Sequence, residues 1–237
     1  MKVSRRAFSF AVFGLGATAA VPNAVAAEAS PRAAPKSFDE ALALLREGND
    51  RFVRGEPRHP HLGKDWRERL EDGQKPFATI LGCSDSRVPP ELLFDQGFGD
   101  LFVIRVAGNV VDTDVTGSVE YGVDHLKTKL VVVMGHEGCG AVTAALQAEQ
   151  DLQKEPNEIR ALVAKIKPAT VAVDANAAFS ERLQQSVEAN VHASVRQLQR
   201  VPDLAAAERR GDTKIIGCVY DLASGRVRTL GHERRPA

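Results

Sequence analysis

Two stretches decide how this chain folds: Phe77-Ala78-Thr79-Ile80-Leu81-Gly82-Cys83-Ser84-Asp85-Ser86-Arg87 and Leu130-Val131-Val132-Val133-Met134-Gly135-His136-Glu137-Gly138-Cys139-Gly140. Each opens with a short run of β-branched and large apolar residues, the composition of a strand buried on both faces. Each then breaks at a glycine and passes into residues that carry chemistry. Two more apolar runs, Leu101–Val106 and Lys214–Tyr220, extend the set. Between the runs apolar residues recur at helical spacing, around Val115–Leu126, Ala141–Ala148 and Ile159–Lys167, and through Leu183, Val187, Val191, Val195 and Leu198. Strands alternating with helices require crossovers, which predicts an α/β fold: a mainly parallel sheet with helices on both faces. Ala223-Ser224-Gly225 then separates Tyr220 from a last run, Arg226–Leu230, and predicts a C-terminal hairpin that adds one antiparallel edge strand.

Upstream, Ser37-Phe38-Asp39-Glu40 is a capping box, and Phe38, Leu42, Leu45, Asn49 and Phe52 form one stripe of a helix that Gly55 ends. No repeat or second linker follows, so residues 37–237 read as a single domain, with the pattern weakest over 149–180. Residues 1–26 carry Lys2, Arg5 and Arg6 but no acidic residue, then a modest apolar stretch and Ala24-Val25-Ala26. That is the layout of a twin-arginine export signal with a small-residue cleavage site, which predicts a periplasmic protein exported already folded. Residues 27–36, rich in Ala, Pro and Ser, read as a flexible linker. The apolar stretch is short for a membrane span and is diluted by Gly14, Gly16 and Thr18, so no stable membrane span is expected once the signal is removed. Gly14-Leu15-Gly16-Ala17-Thr18-Ala19 fits a dinucleotide-binding pattern, but no strand precedes it.

Lys+Arg and Asp+Glu both number 31, so no net positive field favours nucleic acid as a partner. The three cysteines, Cys83, Cys139 and Cys218, are too few for a disulfide framework. Cys218 lies inside an apolar run and reads as a small buried hydrophobe. Cys83 and Cys139 sit elsewhere, at the ends of two strands, where an α/β sheet gathers its ligands. Cys83 and Asp85 are two apart, so an extended chain turns both the same way. His136 and Cys139 are three apart across a strand-to-helix turn.

Two thiolates and an imidazole are a zinc ligand set, with a fourth position left for water or for Asp85. Zinc is a Lewis acid that makes hydroxide available from bound water near neutral pH. Two thiolates cancel the formal charge of the ion, so water bound here should be less acidic than at a site of neutral ligands. Asp85 and Arg87 can pair, the guanidinium gripping the carboxylate. Held by Arg87, Asp85 leaves the fourth position open; released, it can close it.

Cys83-Ser84-Asp85-Ser86-Arg87-Val88 with Gly135-His136-Glu137-Gly138-Cys139-Gly140 resembles the signature of the beta-class carbonic anhydrases. Gly48-Asn49-Asp50-Arg51-Phe52, Arg105-Val106-Ala107-Gly108-Asn109, Ser118-Val119-Glu120-Tyr121 and Gly217-Cys218-Val219-Tyr220-Asp221-Leu222 resemble further family stretches in the same order, so the likeness runs over about residues 37–232. It implies one zinc per subunit on Cys83, His136 and Cys139, an Asp85–Arg87 dyad, and reversible hydration of carbon dioxide to bicarbonate and a proton. It also implies a homodimer or higher homo-oligomer with active sites near the subunit interface, which makes the Phe38/Leu42/Leu45 helix a candidate for packing on a neighbour.

By spacing from the ligands, Gln74, Phe102 and Tyr121 match the substrate-cleft trio of the plant-type branch: Gln74 to hydrogen-bond an oxygen of the substrate, Phe102 and Tyr121 to wall an apolar slot. The other branch has a Trp shortly before the first Cys ligand. Here Ile80 stands there, and the one Trp is Trp66. Two rival readings use the same residues: hydrolysis of carbonyl sulfide or carbon disulfide, and a non-catalytic exported zinc-binding module that Asp85 closes permanently. His59, His61, His125, His192 and His232 are scattered, and none is assigned a proton-carrying role.

Overall fold

The computed structural model describes residues 34–147, 149–171 and 173–231; the export signal and most of the predicted linker lie outside them, as does His232. The helices are α1 (Phe38–Arg54), α2 (Lys64–Arg69), α3 (Pro90–Leu93), α4 (Thr113–Asp124), α5 (Gly140–Ala145), α6 (Glu149–Leu152), α7 (Asn157–Thr170), α8 (Phe179–Gln199) and α9 (Pro202–Arg210). The strands are β1 (Ala78–Gly82), β2 (Leu101–Arg105), β3 (Leu130–His136), β4 (Ile215–Tyr220) and β5 (Val227–Thr229).

They form one sheet in the order β2-β1-β3-β4-β5. The first four strands are parallel, and β5 pairs antiparallel with β4. This is the predicted α/β architecture, hairpin included. β1 and β3, the central pair, are buried along their whole length, as two-sided coverage requires. β3 runs two residues further than its apolar run, because β4 offers Val219 and Tyr220 as partners for Gly135 and His136. His136 therefore sits on the rigid end of a strand rather than in a loop.

Side-chain alternation sends neighbouring strand residues to opposite faces. On one face Leu42 and Leu45 of α1 line a small cavity with Val132, Ile216 and Cys218. On the other lies α8, whose Val191 approaches so closely that a Cβ at Gly135 or Gly217 would stand 2.6 or 2.7 Å from its methyls. Those two glycines let the helix settle directly on β3 and β4. Val187, Val191 and Leu198 are buried there, each side chain contributing about 1.5–3 kcal/mol. Ser37 caps α1, its Oγ accepting from the Glu40 N–H at 3.2 Å, while the Glu40 carboxylate accepts from the Lys36 N–H rather than completing the predicted box on Ser37. Gly55 ends the helix in the left-handed conformation. Leu45 is buried in the chain's own core, and of the predicted interface stripe Phe38 is the residue left exposed. No helix among the described residues is long and apolar enough to cross a membrane.

Candidate metal centre

Register places the carboxyl ends of β1, β2 and β3 side by side, with Gly82 opposite both Arg105 and Met134. Cys83 is the first residue beyond β1, His136 the last of β3, and Cys139 the residue that opens α5. Gly138, at φ +63°, makes the left-handed turn between the last two. The two sulfurs are 4.0 Å apart, and the ligand atoms of Cys83, His136 and Cys139 all lie within 4.8 Å of one another. His136 Nδ1 is 2.9 Å from the Glu137 carbonyl oxygen, so Nδ1 bears the hydrogen and Nε2 turns a lone pair toward the sulfurs. That Nε2 is buried and has no hydrogen-bond partner, an arrangement a buried polar atom does not keep without a use.

The three donors fit zinc. Zn–S bonds of about 2.3 Å at the tetrahedral angle put two sulfurs about 3.8 Å apart, close to the spacing found. The thiols are also electrically unequal. Pairing with the Cys139 thiol, together with the Gly108 and Asp85 N–H groups, holds the Cys83 thiol below its ordinary pKa despite burial. The same pairing, with burial, pushes the Cys139 thiol up. One thiolate is thus already favoured before any cation arrives.

Asp85 stands beside the trio but is held away from it. Arg87 Nε donates to Oδ1 at 2.9 Å and Nη2 to Oδ2 at 2.7 Å, while the Arg87 N–H donates to Oδ1 at 3.0 Å. Oδ2 lies 3.9 Å from His136 Nε2. Arg87 holds the carboxyl well below the usual carboxylate range, so it is ionised at neutral pH.

Two features of the site escaped the sequence reading. Arg105, the last residue of β2, donates through Nε to the Cys83 carbonyl at 3.0 Å and through Nη2 to the Asp85 carbonyl at 2.5 Å. It ties down the backbone that carries both side chains. Just beyond it the Gly108 N–H donates to Cys83 Sγ at 3.3 Å. A charged residue closing an apolar strand, followed by Gly-Asn, was the available signal.

The proposed cleft trio is placed differently. Phe102 and Tyr121 meet, with ring centroids 6.0 Å apart, but Phe102 sits opposite Thr79, three residues before the level of Gly82 and Arg105. Gln74 is exposed in the loop leading into β1, at the other end of the strand from Cys83. At about 3.3 Å per residue, a five-residue strand separates the two levels by about 15 Å. Within one chain these three residues do not join the metal trio. His125 lies near Tyr121, His61 stacks on Trp66 and bonds Asp100, and Cys218 is buried in β4.

A sheet with two thiols and an imidazole at its strand ends, and an acid held just off them, defines a metal-dependent catalytic class. The profile of the carbonic anhydrase family matches residues 78–227. Carbonic anhydrase of Mycolicibacterium smegmatis is 42% identical over 193 residues, covering 81% of this chain and 93% of that protein. Carbonic anhydrase 2 of Mycobacterium tuberculosis is 43% identical, covering 81% and 92%. Among solved structures, a tetrameric beta-carbonic anhydrase of Sordaria macrospora aligns with a TM-score of 0.66 at 28% identity, over 82% of this chain and 96% of that one. The Coccomyxa beta-carbonic anhydrase in complex with acetazolamide aligns at 0.64 and 28%, over 83% and 87%. The chain belongs to the beta-class carbonic anhydrase family.

Proposed function

We propose that this protein is a zinc-dependent carbonic anhydrase that interconverts carbon dioxide with bicarbonate and a proton. Cys83, His136 and Cys139 are the residues that hold the ion, and the observation that carries the reading is the buried, unpartnered Nε2 of His136 facing two sulfurs. When bound, zinc supplies Lewis acidity that makes a nucleophilic hydroxide available near neutral pH. The chain's own groups do the rest. Asp85, ionised and fixed by Arg87, presents an acceptor oxygen 3.9 Å from Nε2, where it can orient a proton-bearing group beside the ion. Its grip by Arg87 favours an open site over a closed structural one. Stopped-flow carbon dioxide hydration by zinc-loaded protein tests the reading; folded, zinc-replete protein without that activity would refute it, and side-by-side rates on carbonyl sulfide and carbon disulfide identify the rival hydrolase.

The substrate slot is assigned to a homodimer or a higher homo-oligomer. Among the described residues β2 is an edge strand with a pairing partner on one side only, and Tyr121 beside it is half exposed. A neighbouring copy docked on this edge would take Gln74, Phe102 and Tyr121 as the wall of its own site. Ile80, where the other branch has Trp, supports the plant-type branch. Residues 1–26 are assigned as the export signal, 27–36 as linker and 37–237 as the mature domain of a periplasmic enzyme. A fusion of residues 1–36 to a reporter should be exported, and Arg5→Lys with Arg6→Lys should block it.

A further inference from the structure

The turn that touches Cys83 is held in place by α8. Gly108 (φ +69°, ψ +18°) and Asn109 (φ +45°) are consecutive left-handed residues, a conformation that short-range sterics oppose for most side chains and that glycine, and less readily asparagine, adopts. A Cβ at Gly108 would stand 2.5 Å from Ile166 Cδ1, so α7 closes the turn from one side. Ala107–Asn109 form a single 3-10 turn, and the Gly108 and Asn109 carbonyls at its end take their donors from elsewhere.

α8 supplies them from one stripe. Asn190 Nδ2 donates to the Gly108 carbonyl at 2.8 Å, Ser194 Oγ to the Asn109 carbonyl at 3.1 Å, and Gln197 Nε2 to the Val111 carbonyl at 3.2 Å. Positions i, i+4 and i+7 of a helix share a face, which here is turned along the backbone of 108–111. Asn190 and Ser194 are 3% and 4% exposed, at positions where a helix covering a sheet would ordinarily carry apolar residues. The bonded turn in turn aims the Gly108 N–H at Cys83 Sγ, 3.3 Å away.

We propose that Asn190 and Ser194 are positioning residues for the metal ligand Cys83: they fix the left-handed turn at 108–109 so that its N–H stays on the coordinating sulfur. An N–H held on a thiolate lowers the sulfur's charge donation and orients its lone pairs, and such outer partners of a ligand govern how tightly and in what geometry the ion is held. The inference rests on the metal-site reading above and deepens it.

The test compares Asn190→Ala and Ser194→Ala with Ser186→Ala. Ser186 lies one turn earlier on α8 and is buried, and among the described residues its Oγ has no hydrogen-bond partner, so its loss perturbs helix packing without removing a hydrogen bond to the turn. Two readouts that need no turnover are used: zinc affinity by competition with a chelator, and the sulfur-to-cobalt charge-transfer band of cobalt-loaded protein. Asn190→Ala and Ser194→Ala should each weaken zinc by about tenfold and displace the band, while Ser186→Ala stays with the parent. Unchanged affinity and band in both variants would overturn the proposal, as would an equal effect of Ser186→Ala. If Asn190→Ala does not fold, Ser194→Ala decides alone. Failure of the parent protein to bind zinc or cobalt would instead sink the metal-site reading itself.

Discussion

Arg87 holds both carboxylate oxygens of Asp85, at 2.9 and 2.7 Å, yet leaves Oδ2 only 3.9 Å from His136 Nε2. The acid is therefore near enough to the ligand cluster to join it and is kept from doing so by one side chain. The second layer of the same clamp is Arg105, which fixes the Cys83 and Asp85 carbonyls.

Asp85→Asn keeps the shape but loses the charge and half the acceptor capacity. It should retain zinc and lower turnover by about a hundredfold, the scale of one positioned proton-transfer group. Arg87→Ala should also lower turnover while keeping zinc, because Asp85 then becomes free to turn toward the ion. Metal analysis beside stopped-flow rates separates these from Cys83→Ser and His136→Ala, which should lose metal and activity together. Full turnover of Asp85→Asn across neutral pH would remove the dyad from the mechanism.

Gly108 is required twice, for its left-handed φ and for the space that Ile166 would otherwise contest. Gly108→Ala should cost about 2 kcal/mol or more, from the unfavourable conformation and the clash together. Ile166→Val removes the offending Cδ1. In a double-mutant cycle followed by denaturant melts, the pair should be less destabilised than the sum of the singles, and strict additivity would show that the clash is not felt.

These residues also mark where the sequence stopped being legible. The sheet, the parallel direction of its main strands and the terminal hairpin were readable because apolar runs and helical periodicity are local signals. Cys83, Asp85, Arg87, His136 and Cys139 were readable because each follows such a run at short spacing. Arg105, Asn190 and Ser194 act through backbone carbonyls 20 to 85 positions away, and no local pattern encodes that. Gln74, Phe102 and Tyr121 were found by spacing from the ligands, but spacing says nothing of which copy of the chain they serve.

Asp95, just after α3, is buried and charged. It accepts from Arg51 Nε and from the Arg58 and His59 N–H groups, buried between α1 and the loop that follows it. Burial alone would raise its pKa, but the Arg58 N–H, the Arg51 side chain and the His59 N–H outweigh it and hold the carboxyl below its ordinary value. A depressed acid stabilises the fold fully above its unfolded pKa of about 3.9 and loses that stabilisation as pH falls through the lower folded value. The melting temperature should accordingly fall below about pH 4. Asp95→Asn should cost about 3–5 kcal/mol near neutrality, because it strands the buried Arg51 charge, and should flatten that acid fall. Parallel pH profiles of the two proteins would contradict this.

If the slot is shared between copies, as proposed above, the separation of Gln74 from Cys83 along β1 gives the arrangement a testable arithmetic. Asp85→Asn damages the chain that holds the ion, whereas Tyr121→Ala damages the chain that walls the slot. Tyr121 is half exposed, so its truncation should leave folding within about 0.5 kcal/mol. If the wall comes from the neighbour, a mixed dimer of the two variants contains one site with both an intact acid and an intact wall. Random reassortment of equal amounts makes half the dimers mixed, so about a quarter of all sites should recover parental activity. If each chain walls its own slot, every site in the mixture keeps one defect and activity stays at the mean of the two variants. Unfolding, mixing and refolding the two variants with zinc, followed by stopped-flow assay, reads the difference directly; light scattering on the same samples checks that the active species is larger than one chain.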